Sequence, residues 1–179
     1  MKPEFRELTE SDAPALQDFL VAMPPEDRTF FFWDVDDPSL AKRWTGDDRR
    51  RSRAAFDPQG RILAFAALQP GVEWSSHVVD LVLAVAPGQR RQGLGKLLAR
   101  AMLSEALERG FKKVTVMIAA DNAGAINMFR DLGFDGEALL RDHLCSPADG
   151  TLRDVVVLAH LVEETWSSMR AGGFEEALR

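Results

Sequence analysis

Residues Arg90-Arg91-Gln92-Gly93-Leu94-Gly95-Lys96 set cations and glycines side by side, directly after an apolar run and directly before a helical repeat. Glycines at such a junction leave backbone N–H groups open at the positive end of a helix dipole and let an anion's oxygens approach the backbone closely. Arg90, Arg91 and Lys96 add fixed positive charge, so the chemistry indicated is phosphate binding. Two common phosphate loops do not fit. A P-loop needs Lys immediately after the second glycine of Gly-x4-Gly; Gly88 and Gly93 have that separation, but Leu94 stands in the lysine position. A dinucleotide fingerprint starting at Gly93 would need glycine where Leu98 stands. What remains is Arg90-x-x-Gly93-x-Gly95. Upstream, Asp80 is the one charged residue between His77 and Ala86. It is either a carboxylate facing an open cleft, where desolvation would make it a better base near neutral pH, or a structural charge satisfied by a partner.

The elements that must position these residues follow from hydrophobic period. Val78, Val79 and Leu81 to Val85 read as a strand covered on both faces, ended by Pro87 and Gly88. Leu94, Leu97, Leu98, Ala101 and Met102 recur as one buried helix face, with Gly110 as the stop signal. Lys113 to Ala119 reads as the next strand. Before these, Phe5 to Leu8 is a strand, Thr9-x-x-Asp12 or Ser11 caps a helix to about Met23, and a second helical region spans Pro38 to Arg51. Arg53 to Phe56 and Arg61 to Leu68 form a hairpin about Asp57-Pro58-Gln59-Gly60. Glu137 to His143 and Arg153 to Leu161 are late strands joined by residues 146–150, and the weakly helical tail from Glu163 to Arg179 has no assigned role.

Arg90-x-x-Gly93-x-Gly95 at a strand-to-helix turn, followed by Asn122-x-x-Ala125-x-x-x-Phe129 and Leu132-Gly133-Phe134, resembles the GNAT superfamily of acyl-CoA-dependent N-acyltransferases, best over residues 60–160. The resemblance implies an α/β (α+β) fold in one domain over residues 1–179: a mixed central sheet of about seven strands flanked by helices, splayed between the strands near 78–86 and 112–119. It implies acetyl-CoA as acyl donor and no metal. The diphosphate would lie on Arg90, Arg91, Gln92, Gly93, Leu94, Gly95 and Lys96, and the pantetheine arm on the backbone at Leu83 and Val85. Asn122, Asn127 and Phe129 would flank the cofactor. Asn122 is equally explained as a helix N-cap, Asn127 as an exposed helix position, and Phe129 as a core aromatic. By the same resemblance Asp80 is the general base, with Glu73 and His77 in reserve. Many family members carry tyrosine at the Phe129 position to protonate the leaving thiolate; this chain has no tyrosine. The thiolate then leaves unassisted, is protonated by water, or takes its proton from another residue; His143 and Cys145 lie on the late-strand loop that approaches the active site in the family.

The implied reaction is acetyl transfer to a primary amine of a small molecule, amino acid, protein lysine or N-terminus by direct attack in a ternary complex. The alternative is a catalytically weak acyl-CoA-binding or sensing module. Phe30 to Asp37, aromatic and acidic, either contacts a cationic acceptor or packs under a loop and caps the next helix. Composition narrows the partners. A net charge of −6 argues against a general nucleic-acid binder, and Arg49, Arg50, Arg51 and Arg53 read as a solvated helix end, or else a contact to the coenzyme's 3′-phosphate. No uncharged stretch is long enough to span a bilayer and no apolar leader opens the chain, so a cytoplasmic protein without membrane contact is the expectation. One cysteine excludes an internal disulfide framework. Homodimers are common in the family, and no residue here fixes that state.

Overall fold

Alternating apolar positions along the strands place one set of side chains on each face of a central sheet, and helices cover both faces. A computed structural model describes residues 3–28, 34–46, 50–146 and 149–162. The elements are β1 (Glu4–Glu7), α1 (Ala13–Val21), α2 (Pro25–Arg28), α3 (Pro38–Thr45), β2 (Arg51–Phe56), β3 (Ile62–Pro70) and β4 (Val78–Val85), then α4 (Leu94–Glu108), β5 (Lys113–Ala119), α5 (Ala123–Arg130), β6 (Asp135–Cys145) and β7 (Leu152–Leu161). Strand order is β1-β2-β3-β4-β5-β7-β6. Every pairing is antiparallel except β4 with β5.

Two apolar layers hold the sheet. On one face Leu94, Leu98, Ala99, Met102 and Ala106 of α4, with Phe129 of α5, pack on Ala64, Ala66, Leu68, Val79, Leu81, Val114, Val116 and Ile118. On the other, Leu16, Phe19 and Leu20 of α1 and Leu40, Ala41 and Trp44 of α3 cover Ala54, Phe65, Ala67 and Ala84. Trp44 stacks on Phe65 at 5.0 Å between centroids. The small residues of β3 let both helical layers approach closely.

The parallel pair is the feature that positions the site. β4 and β5 pair only through Val78↔Lys113, Val79↔Val114 and Asp80↔Thr115. Beyond that rung β4 stays paired with β3 as far as Ala64↔Val85, and β5 with β7 as far as Ala119↔Val155. The two strands therefore diverge after Asp80 and Thr115, as the resemblance implies, and the edge of β4 from Leu81 to Val85 faces an opening.

Two boundaries differ from the sequence expectation. The second helix does not run to Arg51: it ends at Thr45, with Gly46 as C-cap, and Arg51 opens β2 opposite Leu68. Sheet pairing overrides the helical spacing there. The basic cluster is accordingly not a helix end. Arg51 pairs with Glu7 and Glu105 and Arg53 with Glu105, about three turns along α4 from its N-terminus, while Arg49 lies outside the described residues. β6 is longer than expected because register shifts at Gly136/Ala138 and Leu140/Leu144 break its alternation.

At the start of the chain Asp12 accepts a bidentate pair from Arg6 at 2.7 and 2.8 Å and closes a capping box with the Thr9 N–H at 2.8 Å. The Arg6 guanidinium holds the Asp12 carboxyl well below the usual carboxylate range, against the opposing effect of burial. A depressed carboxyl contributes stability that is fully present above its unfolded value of about 4 and is lost as pH falls toward the folded value. Because Arg6 is more than a third exposed, solvent weakens the pair. Asp12→Asn should cost about 1–2 kcal/mol at pH 7, with the deficit narrowing below about pH 4, as read by urea unfolding at both pH values.

Candidate active site

The divergence of β4 and β5 opens a cavity of about 860 Å³. Its floor is apolar, from Leu81, Leu83 and Val85 of β4 and Met117 of β5 to Met128 of α5. One end is closed by the loop and first turn from Gln89 to Lys96, the other side by Asp121 to Ala125.

The loop is shaped for an anion. Arg91 and Gly93 both adopt left-handed backbone, at φ 61° and φ 83°, and bend the chain tightly into α4. Gly93 is the N-cap of α4 and carries no side chain to occupy the first-turn N–H groups. Gly95 lies against Val85, Leu83 and Met128; a Cβ there would meet them at 3.4–3.6 Å. Arg90 donates to the Val85 carbonyl at 3.2 Å and pairs with Asp27 of α2, while Lys96 pairs with Asp131 at 3.1 Å. Arg91 is exposed and pairs with no carboxylate among the described residues. Asn122 caps α5 by accepting the Ala125 N–H at 3.1 Å.

Asp80 stands at the other end of the exposed β4 edge, five residues or about 16 Å from Val85 along an extended strand. It lines the cavity and accepts the hydroxyl of Thr115, its partner on the last paired rung. Asp80 is an exposed residue at this end of the cavity.

Of the residues named from sequence, Asp80, Leu83, Val85, Arg90, Arg91, Gly93, Leu94, Gly95, Lys96 and Asn122 line this one cavity. Three do not. Gln92 turns back to the Gly88 carbonyl at 3.3 Å, and Asn127 is exposed on α5. Phe129 is 3% exposed and meets Phe134 edge-on at 5.1 Å, so it is a core aromatic, and its neighbour Met128 reaches the cavity instead. Gly133, at φ 84°, brings Phe134 under the sheet and lies against His160, whose Nδ1 is 2.9 Å from the Gly133 carbonyl oxygen.

The reserve candidates fall elsewhere. Glu73 and His77 sit on the exposed β3–β4 turn, and His143 and Cys145 on β6; none lines the cavity. Asp37 caps α3 through the Ser39 N–H at 2.8 Å, and Asp36 pairs with Arg28 at 3.6 Å; residues 30–33 lie outside the described residues.

Sequence reasoning missed Met23 and Asp27, which cover the cavity from the α1–α2 region, and the pair of Arg153 with Asp121 at 2.7 Å on the opposite rim. Asp121, adjacent to Asn122, was the one of these with a local signal. Among the described residues no group of His, Cys, Asp and Glu could hold a metal ion, and no helix is long and apolar enough to cross a membrane.

An open strand edge beside an uncapped, glycine-led helix N-terminus is the geometry an acyl-CoA thioester would fill. The family model for GNAT acetyltransferases matches residues 9–134. The chain belongs to the GNAT acetyltransferase family. Among curated relatives, mycothiol acetyltransferase of Nocardia farcinica is 34% identical over 105 residues, 51% of this chain and 35% of the relative. The [ribosomal protein bS18]-alanine N-acetyltransferase of Escherichia coli is 32% identical over 100 residues, 56% of this chain and 64% of the relative. The chain thus spans less than two thirds of the length of these relatives. The GNAT fold is shared with a ribosomal-protein-alanine N-acetyltransferase of Brucella melitensis, with TM-score 0.75 and 24% identity over 89% of this chain and 99% of the other. It is shared equally with a Salmonella typhimurium acetyltransferase solved with its cofactor acetyl-CoA, with TM-score 0.78 and 16% identity over 90% and 95% of the two chains.

Proposed function

We propose that this GNAT domain transfers an acetyl group from acetyl-CoA to a primary amine in a ternary complex, with Asp80 as general base. The observation that carries the reading is the single cavity joining a cationic, glycine-led loop to Asp80 along an unpaired strand edge. Arg91 and the first-turn N–H groups of α4 would hold the diphosphate, with Arg90 and Lys96 adding charge once exchanged from Asp27 and Asp131. The free N–H and C=O groups of β4 between Leu81 and Val85 would pair with the pantetheine arm and polarise the thioester carbonyl. When bound, acetyl-CoA supplies the electrophilic acetyl carbon and the thiolate leaving group.

Asp80 removes a proton from the bound ammonium group, freeing the nitrogen lone pair. The new N–C bond forms as the C–S bond breaks with its electron pair on sulfur; the acylated nitrogen then gives its excess proton to solvent, leaving the neutral amide, and solvent returns a proton to the thiolate. Phe129 takes no part, because it is sealed in the core. The acidic side chains along the cavity, Asp27, Asp80 and Asp121, favour a cationic acceptor in its resting protonated form. The names of the relatives make alanine-terminated peptides one arm of the acceptor search and small primary amines the other.

Calorimetry with acetyl-CoA, followed by thiol release with those amines, tests the reading. Saturable binding together with amine-dependent thiol release is expected; binding with no amine-dependent release would favour an acyl-CoA-sensing role.

A further inference from the structure

Helix α2 lies across the mouth of the cavity. β4 and β5 share no rung beyond Asp80↔Thr115, so the loop that follows Val85 and the turn at Asp121 stand apart. α2 joins them. Its Asp27 carboxylate pairs with Arg90 on the β4 side, and its Glu26 carbonyl accepts from Arg153 at 3.5 Å, the arginine that holds Asp121 at 2.7 Å beside β5.

Packing does not fix α2 in that place. The helix is four residues long and buries no side chain, which sets it among the elements that open most easily. Arg28 donates to the Met23 carbonyl at 2.8 Å and pairs with Asp36 at 3.6 Å, so it ties α2 to neighbouring chain and not to the rim. The charged contact with the phosphate loop is Asp27 on Arg90, made across 63 positions of sequence.

Arg90 and Lys96 both have carboxylate partners, and the two partners differ. Asp131, the partner of Lys96, has a side chain 65% exposed and lies outside the cavity. Asp27 has a side chain 18% exposed and lines it. A carboxylate inside the cavity and on Arg90 competes with any entering anion for the same guanidinium. A diphosphate brings more charge and can also accept the first-turn N–H groups of α4, so it displaces the carboxylate and then repels it.

We propose that α2 is a latch, closed in the free chain by Asp27 on Arg90 and opened when the diphosphate of acetyl-CoA takes Arg90 in exchange. This rests on the reading of the loop as the diphosphate site. Because part of the population is held closed, the latch weakens apparent cofactor affinity. Coenzyme A carries the same diphosphate, so the returning carboxylate also speeds product release.

Calorimetry on the full chain tests the latch in wild type, Asp27→Asn, Arg90→Gln and the double variant. Asp27→Asn should bind acetyl-CoA and coenzyme A at least about threefold more tightly than wild type. Arg90→Gln should bind acetyl-CoA more weakly than wild type, and adding Asp27→Asn to it should change affinity by less than about twofold, since the carboxylate no longer has a guanidinium to withhold. Asp27→Glu keeps the charge and should stay within about twofold of wild type, which guards against an artefact of substitution in α2. Amide hydrogen exchange across residues 24–28 should quicken when acetyl-CoA saturates the wild type.

Wild-type or weaker affinity in Asp27→Asn would overturn the latch. Equal tightening with and without Arg90 would overturn it too, because charge would then act at long range with no exchange. So would amide exchange across α2 that acetyl-CoA leaves unchanged or slows. If wild type and Asp27→Asn bind acetyl-CoA alike, the latch alone is wrong; if neither binds it, the underlying reading of the loop fails as well.

Discussion

Asparagine at position 80 should lower kcat for acetyl transfer by about two to three orders of magnitude and leave the acetyl-CoA dissociation constant within about twofold. The split follows from placement. Asp80 sits on the last rung joining β4 to β5, at the far end of the open edge from the phosphate loop. Its side chain touches neither Arg90, Arg91 nor the first turn of α4, so cofactor affinity has no dependence on its charge beyond long-range repulsion. Asparagine keeps the shape and can still accept the Thr115 hydroxyl. What it cannot do is take a proton from an amine. Single-turnover thiol release beside a calorimetric titration separates the two quantities, and a parallel loss of affinity would move Asp80 from the chemistry into the cofactor site.

Valine at position 93 should have the opposite signature. Gly93 adopts φ 83° at the N-cap of α4, with nothing within 4 Å of where a Cβ would project. The penalty is therefore conformational: about 1–2 kcal/mol for an L-residue in left-handed backbone, and more for a β-branched one. The loop relieves it by rotating out of the turn, which misdirects the N–H groups that face an anion. Acetyl-CoA affinity should fall at least about tenfold, since each 1.4 kcal/mol is a factor of ten. Gly95→Ala is the internal control, because its added methyl meets Val85, Leu83 and Met128 at ordinary contact distance and its backbone is helical. It should bind within a fewfold of wild type. Equal losses in both variants would mean that space, rather than backbone conformation, is what the glycines provide.

The parts of this site that could be read from the chain are those whose geometry is local. Arg90 to Lys96 is set by one turn and one helix start, so its residue types and spacing mark an anion site; Asn122 to Ala125 reads locally only as a helix start, and the family resemblance is what places it beside the cofactor. The divergence beside Asp80 came from family resemblance, since no run of residues encodes where two parallel strands separate. Asp27 escaped because it meets Arg90 across 63 positions, from a four-residue helix with no buried side chain. Arg51 reads as helix for a related reason: its helical spacing is locally acceptable, and only pairing with Leu68 shows the strand. The spacing of Phe129 fits both a core and a cofactor-flanking aromatic, and helix α5 turns it to the core while presenting Met128 to the cavity.

The claim on which the rest depends is that this cavity carries out acetyl transfer to an amine nitrogen. The most direct measurement is mass spectrometry of reactions containing the chain, acetyl-CoA and a mixed panel of small primary amines and alanine-terminated peptides. The account predicts at least one product heavier by a single acetyl group on nitrogen, formed in equal amount to free coenzyme A and absent with Asp80→Asn. Acetyl-CoA binding by the wild type with every amine returned unmodified would contradict it.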